Sequence, residues 1–478
     1  MSESSAVRTF LDRFSRILPE IKKPGRKVGL TEKLAWTALA LIIYVWMGHT
    51  FLYGLPATQQ TGQNPILLNI VFAQKVGTLI TLGIGPIVTA GLILQLLVGA
   101  EIIKLDLKKS EDRALFTSAS KLLALIITLF QGAAYVLAGF FGPTTTTQNI
   151  LIFIQLFLAT MLVMLLDELV QKGWGLGSGI SLFIAAGVAE EIFVSLFSPI
   201  GLPDGYFQGI VPAIIQVFTG RAAPEGLMLR RAGYPDLIGL ITTALLILSL
   251  IYIEAIRVEI PISYAKYSGY RAKYPVKLLY VSNVPIIFAT TIFSNIYYLG
   301  SLLWNRFNPN NDNPLLNIIG TYTYNQQAGT LIPTGGLAYY VIGPRGLANV
   351  MADPVRALAH AALLILFAVV FAKFWVQIGG LGPRKVAEQL VEAGMQVPGF
   401  RRSPEIIAKI VEKYISTVTV LGGLIVGVIA SVADYLNVFG TGIGLLLMIG
   451  ILHQYYQALI RERLTEIYPS LKRFLGGE

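Results

Sequence analysis

The side chains able to carry acid–base, nucleophilic or metal chemistry are few in this chain and badly spaced for it. Its three histidines, His49, His360 and His453, sit in three different apolar runs with no ligand spacing. Asp167, Glu168, Glu254 and Asp434 fall near the ends of apolar runs, and Glu190 and Glu191 toward one end of another. Ion-coupled carriers and pumps keep such groups in mid-membrane. The GLGSG run, Gly175–Gly179, lacks the spacing of a nucleophile elbow, has no histidine standing out as its base, and is not followed by the Lys-Ser/Thr pair of a phosphate loop. It reads instead as a glycine-rich entry into a closely packed helix. Cysteine is absent, so disulfides and thiolate ligands are excluded. These residues predict no catalytic group, no cofactor and no metal centre.

What the chain does concentrate is positive charge, with 37 Lys and Arg against 27 Asp and Glu. Arg257, Lys266, Arg271, Lys273 and Lys277 crowd the segment 255–277, and Arg384, Lys385, Arg401, Arg402, Lys409 and Lys413 crowd 379–413. A solute carrier needs only short turns between spans. Two long cationic loops on one face suit the docking of something large and anionic. Topology signalling accounts for some of these cations but not for the length of the loops.

The elements that carry these residues are membrane-grade. The chain is 54% hydrophobic and 13% charged, and a spanning helix needs roughly 20 apolar residues to cross a core about 30 Å thick. Ten runs qualify: 34–53, 78–103, 115–141, 148–168, 177–198, 236–256, 278–303, 355–378, 411–433 and 440–460. They do not alternate as barrel strands do, so the expected fold is an all-α integral membrane bundle. The segment 1–33 ahead of the first run holds eight Lys and Arg, from Arg8 to Lys33. With that tail cytoplasmic, 29 of the 37 cations lie on its side, seven (Lys75, Arg221, Arg230, Arg231, Arg306, Arg345 and Arg356) lie opposite, and Lys121 lies inside the third run. Both termini and both basic loops are then cytoplasmic. No signal peptide is visible. Phe10, Leu11, Phe14, Ile17 and Leu18 share a helical face, giving either an interfacial amphipathic segment or a disordered tail.

A long outer loop, 198–235, divides the spans into an N-terminal half (34–234) and a C-terminal half (235–478). Five spans per half is an odd number, so the halves have opposite orientation, the inverted repeat of many transport proteins with a pathway at the interface. The second outer loop, 304–354, reads as an ordered cap or a short hairpin. In Thr78–Gly91, TLITLGIGPIVTAG, Gly83, Gly85 and Pro86 fall in mid-run. A membrane interior tolerates the backbone groups they free only beside protein or a water-filled cavity. Just upstream, Pro65–Val76 is apolar enough to enter the membrane and too short to cross it. The alternatives are a half-helix, a break and a full helix, or one kinked span with a polar external loop.

Four motifs now occur in a telling order: TLGIGPIVTAG (Thr81–Gly91), GSGISLFIAAGV (Gly177–Val188), RVEIPISYAKYSGYRAKYPVKLLYVSNVP (Arg257–Pro285) and MQVPGFRRSPE (Met395–Glu405). Together they resemble the SecY family, the central subunits of Sec protein-conducting channels, in its archaeal form, over essentially the whole chain. The resemblance implies a clamshell of two five-span halves around an hourglass pore that passes unfolded polypeptide and releases apolar segments sideways into lipid. By position it implies a pore ring of Ile84 and Val88, Ile180 and Ile184, Ile287 and Leu447. The first two pairs are i,i+4 and line one helical face each, and a narrow aliphatic ring resists ions by dewetting. On the residues alone these aliphatics are ordinary lipid-facing or core positions.

The same resemblance makes Pro65, Ile66, Leu67, Leu68, Asn69, Ile70, Val71, Phe72, Ala73, Gln74, Lys75 and Val76 a plug in the outer funnel. It puts a side gate between the second and third spans and the seventh and eighth, with Thr89, Gln131 and Asn295 as its polar cluster. Gln131 stands where some archaeal relatives carry an acid. The other reading of these three is hydrogen bonding between packed helices. Arg257, Lys266, Arg271, Lys273, Lys277, Arg401 and Arg402 match docking loops for the translating ribosome, whose RNA they would bind through phosphates in a salt-sensitive way. Arg113 serves equally as an anchor of the third span. Further partners implied are SecE-like and Sec-beta-like small subunits, signal sequences, nascent polypeptides and lipid, and the implied location is the cell (plasma) membrane. A solute carrier would need a convergent mid-membrane site, and an intramembrane enzyme a nucleophile–base pair or metal ligands.

Overall fold

The computed structural model describes residues 19–55, 74–99, 102–103, 105, 109–137, 141, 144–202, 205–228, 230, 234–264, 271–279, 284–325, 330–378, 382–392, 395–396 and 404–467. The amphipathic face expected at Phe10–Leu18 lies outside them. Each expected run overlaps one helix: α1 Leu30–His49, α2 Gly85–Gly99, α3 Ser110–Leu137, α4 Thr146–Leu169, α5 Gly179–Phe197, α6 Leu237–Ala255, α7 Val284–Phe307, α8 Pro354–Ile378, α9 Pro404–Tyr435 and α10 Gly442–Ile467. Nine of these are long and apolar enough to cross a membrane. Trp46, Phe130, Leu248 and Leu366 stand exposed on outward faces, which only a lipid environment makes tolerable over so large an area. The protein is a multi-pass membrane protein.

The short member is α2. Its 15 residues rise about 22 Å at 1.5 Å each, less than the hydrocarbon core. The full helix expected over 78–103 is cut at its start because residues 77–84 are turns, with Gly77 at φ 82° and Gly83 at φ 52°, a left-handed region that glycine enters without steric cost. Pro86 sits in the first helical turn, where no N–H is needed. The backbone groups freed here are re-paired inside the protein. Leu52 N donates to Gly77 O at 2.9 Å, Leu79 N donates to Thr50 O at 2.9 Å, and Thr81 Oγ1 donates to Thr78 O at 2.5 Å.

The bundle is built around α7, 61% of whose apolar window is buried against 22% for α1, α3 and α6. It packs on α8 and α9 and touches α2, while α2 lies along α3 and also meets α8; α5 packs on α10 and α1. The α4–α5 corner is tightly specified. After α4 the chain makes a π-helical turn, Val170–Trp174, with Gly173 at φ 99°. The Asp167 carboxylate then reaches forward to accept from Ile180 N at 2.9 Å and from Gln171 Nε2 at 2.8 and 2.7 Å, so one helix caps the next. A Cβ on Gly179 would lie 2.6 Å from Asp167 Cα. Gly179→Ala is therefore expected to cost about 1–3 kcal/mol through overpacking. A lowered midpoint of thermal unfolding in detergent, with membrane insertion unchanged, checks this; an unaltered midpoint contradicts it. Beside this corner, Glu168 is buried between Lys121 of α3 at 2.5 Å and Lys172 at 2.7 Å.

The two basic segments, expected as separate loops, are one structure. Strands β1 (Arg257–Tyr264) and β2 (Arg271–Lys277) form an antiparallel hairpin, and β5 (Met395–Gln396) adds to its other edge through Ser263↔Gln396 and Tyr264↔Met395. Ile260 and Val276 face down onto Val418 of α9. In the second segment the amphipathic helix Pro383–Glu392 buries Val386, Ala387 and Leu390 against α8 and α9. At the opposite end, residues 308–325 and 330–353 form a cap. It holds the hairpin of β3 (Thr321–Asn325) and β4 (Thr330–Gly335) and the short helices Pro314–Ile319, Gly336–Val341 and Leu347–Ala352.

Candidate functional site

The six ring candidates, on or beside α2, α5, α7 and α10, all fall in the main apolar core of the bundle, to which nearly every helix contributes. Ile84, Ile184 and Leu447 are buried outright, and Val88, Ile180 and Ile287 are half-buried against the same cluster. Ile84 precedes the first residue of α2, yet Val88 N donates to Ile84 O at 3.0 Å. The helical register that puts both on one face is already in place there. On α5, Phe183 stacks on Tyr44 of α1 with centroids 4.1 Å apart, which fixes the rotation of the helix carrying Ile180 and Ile184.

Of the plug candidates, 65–73 lie outside the described residues, and Gln74, Lys75 and Val76 form the stem that joins them to α2. This stem is tied to three helices. Gln74 Nε2 donates to Leu82 O at 3.1 Å, and its Oε1 accepts from the Tyr298 hydroxyl of α7. Lys75 Nζ is paired with the Glu190 carboxylate of α5, and His49 Nε2 of α1 stands 3.3 Å from the same carboxylate. Sequence reading placed Glu190 only near a span end and did not single out Tyr298 at all. Nothing in local spacing links positions 115 or 224 residues apart.

The three gate candidates are distributed over the expected helices, Thr89 on α2, Gln131 on α3 and Asn295 on α7, but the structure does not knit them together. Thr89 Oγ1 is buried without a hydrogen-bond partner, as is Ser294 Oγ beside Asn295. Unpaired buried hydroxyls cost about 1–3 kcal/mol each, so this part of the α2–α7 seam is held by packing. The ring contacts near the seam are aromatic. Tyr135 of α3 lies 5.5 Å from Tyr298, and Tyr297 lies 5.7 Å from Tyr322 of the cap hairpin.

The docking candidates are unequal. Arg257 is exposed at the start of β1. Lys273 is exposed and paired with Glu259 across the hairpin, and Lys277 is drawn back to Glu254 of α6 at 3.0 Å. Arg271 opens β2, opposite Ser263. Lys266, Arg401 and Arg402 lie outside the described residues. The Lys273 pair contributes little, as exposed pairs do, whereas Lys277 ties the platform to the bundle.

Residues 78–456 match the family model named SecY. The chain belongs to the SecY family. Along 98% of its length it is 40% identical to the protein translocase subunit SecY of Pyrococcus horikoshii, the whole of which is covered. Among solved structures it is similar to a SecY described by a plug domain that stabilises the closed state of the translocation channel and maintains a membrane seal, with 35% identity, a TM-score of 0.77, and 96% of this chain and 98% of that one covered. It is also similar to canine Sec61 in a ribosome–channel complex from the endoplasmic reticulum, with 34% identity, a TM-score of 0.76 and the same coverages. SecY-family chains are channel-forming subunits and not enzymes.

Proposed function

We propose that this chain is the pore-forming subunit of a protein translocation channel, passing unfolded secretory polypeptide across the membrane and releasing transmembrane segments sideways into lipid. The observation that carries the reading is that the six aliphatic candidates on or beside α2, α5, α7 and α10 all lie in the main apolar core, set in a SecY-family fold. A pore that must admit any sequence has no use for specific ligands, and an apolar waist still excludes ions. On this reading Ile84, Val88, Ile180, Ile184, Ile287 and Leu447 form the waist, 65–76 is the plug, and the seam of α2 and α3 with α7 and α8 is the side gate. α1–α5 and α6–α10 are the inverted halves, with 1–33 as a basic cytoplasmic lead-in. The cation distribution supports an orientation with both termini cytoplasmic, and the archaeal family likeness supports the plasma membrane as the location. Likeness to a ribosome-bound channel supports the translating ribosome as partner at the β1–β2–β5 platform, and the family implies SecE-like and Sec-beta-like subunits.

A photo-crosslinker at Ile184, presented with ribosomes stalled on secretory chains, tests the reading. Crosslinks whose position follows nascent-chain length are expected. Their absence with a reactive probe and engaged ribosomes would redirect work to solute flux. The platform carries its own prediction. Arg401→Glu with Arg402→Glu is expected to weaken ribosome binding and to flatten its log–log salt dependence by roughly two units, one per lost phosphate contact. Unchanged affinity across a salt series would remove these two arginines from the interface.

A further inference from the structure

We propose that Tyr298 is a latch that makes closure of the plug and closure of the side gate depend on one another, with Gln74 and Tyr135 as its two catches. The inference rests on the plug-and-gate reading above and names the side chain through which the two parts communicate. Three facts carry it. The Tyr298 hydroxyl donates to Gln74 Oε1 on the stem, while Gln74 Nε2 is occupied by Leu82 O at 3.1 Å. The Tyr298 ring packs against Tyr135 of α3 at 5.5 Å with the planes tilted by 56°. All three side chains are buried, at 6%, 3% and 2% exposure for Tyr298, Gln74 and Tyr135.

One residue of α7 therefore touches both the stem and the facing helix of the opposite half. If α3 and α7 part, the ring contact is lost and water reaches the Tyr298–Gln74 bond. If the stem leaves, the Tyr298 hydroxyl is left buried without that acceptor, which favours a seam open enough to hydrate it. Each closed element thus stabilises the other, and the coupling is reciprocal. The α7 side of the latch is the fixed one. Tyr297 donates to Leu331 O of the cap hairpin at 2.9 Å and Tyr322 donates to Tyr297 O at 2.9 Å. The gate candidate Thr89 and Ser294, the neighbour of Asn295, make no competing bond through their hydroxyls. The second tether of the stem, Lys75 to Glu190 on α5, stays within the N-terminal half and supplies a control.

The chain has no cysteine, so Thr78→Cys at a buried position of the stem turn is a sole thiol whose labelling by a membrane-impermeant maleimide reports release of the stem. The measurement uses the reconstituted complex, idle and with a signal peptide added. In the Thr78→Cys parent, labelling is expected to accelerate with signal peptide. Adding Tyr298→Phe, which keeps the ring and removes the hydroxyl, is expected to raise idle labelling about fivefold, the scale of one lost buried hydrogen bond, and to abolish most of the response. Gln74→Ala, which also removes the bond to Leu82 O, should label at least as fast, and the two together no faster than Gln74→Ala alone. Glu190→Gln should raise idle labelling and leave the response to signal peptide intact. Tyr298→Phe labelled at the parent rate, or still accelerated by the parent factor, would overturn the latch while leaving plug and gate standing. A parent that never responds would overturn the latch together with the reading beneath it.

Discussion

Glycine in place of Ile184 is expected to raise the ion leak of the idle reconstituted channel by about tenfold or more, because a dewetted constriction fails once its bore admits a continuous water column. Ile184 is 1% exposed, and α5 is clamped by the Phe183–Tyr44 stack, so the helix has little freedom to close the space left by the side chain. Ile287→Gly on α7 should leak as well, from the other half. A glycine in mid-helix also costs about 1 kcal/mol on its own, so the comparison needs Ile241→Gly, at an outward position of α6 that is 58% exposed. That variant shares the helix penalty and should not leak. Equal leak from all three would assign the effect to helix loosening, and no leak from Ile184→Gly or Ile287→Gly would mean the waist lies elsewhere.

Leucine in place of Glu168 is expected to be the most destabilising single change outside the waist. It deletes the carboxylate that sits between Lys121 at 2.5 Å and Lys172 at 2.7 Å, and breaking one member of a buried ionic group costs about 3–5 kcal/mol because the remaining charge stays uncompensated. Lys172 keeps Glu20 as a partner, whereas Lys121 has no second paired carboxylate among the described residues. Glu168→Leu with Lys121→Met should therefore recover most of the loss, since a packed apolar pair replaces a half-broken ionic one. Thermal loss of monodispersity for the single and double variants measures this. Equal stability of Glu168→Leu and the parent would show that water already screens the site. Because Lys121 belongs to α3, the single variant should also loosen one wall of the proposed gate.

The sequence-readable part of this fold is the part governed by hydropathy and length. Ten apolar runs became ten helices, and the misjudged ends have a common cause. α9 begins at Pro404 instead of 411, and α10 continues to Ile467, because polar residues end an apolar run without ending a helix. The start of α2 was misjudged for a different reason, since Gly77 and Gly83 set turns where composition still looks like membrane. The platform hairpin was missed although its alternation was visible. Val258, Ile260 and Ile262 alternate with Arg257, Glu259 and Pro261, a strand period, but their charge made the segment look like loop. At the candidate site, the aliphatic ring could be singled out only through the family likeness, since isoleucine in a span carries no mark of a pore. The pairings of Gln74 with Tyr298 and of Lys75 with Glu190 were beyond reach for a stronger reason. They are set by how distant spans pack, which no local pattern encodes.

The pairing of β1 with β5 also bears on how the protein is made. Ser263 cannot meet Gln396 until the intervening stretch of about 130 residues, with α7 and α8 inside it, has been synthesised and inserted, which takes roughly ten seconds or more at ordinary elongation rates. A half-made copy therefore displays a bare hairpin with an unpaired edge, and the finished platform arises only late in its own biogenesis. The third strand is therefore the last strand of the platform to be made, and its two pairs, Ser263 with Gln396 and Tyr264 with Met395, close the sheet only once α7 and α8 are in place.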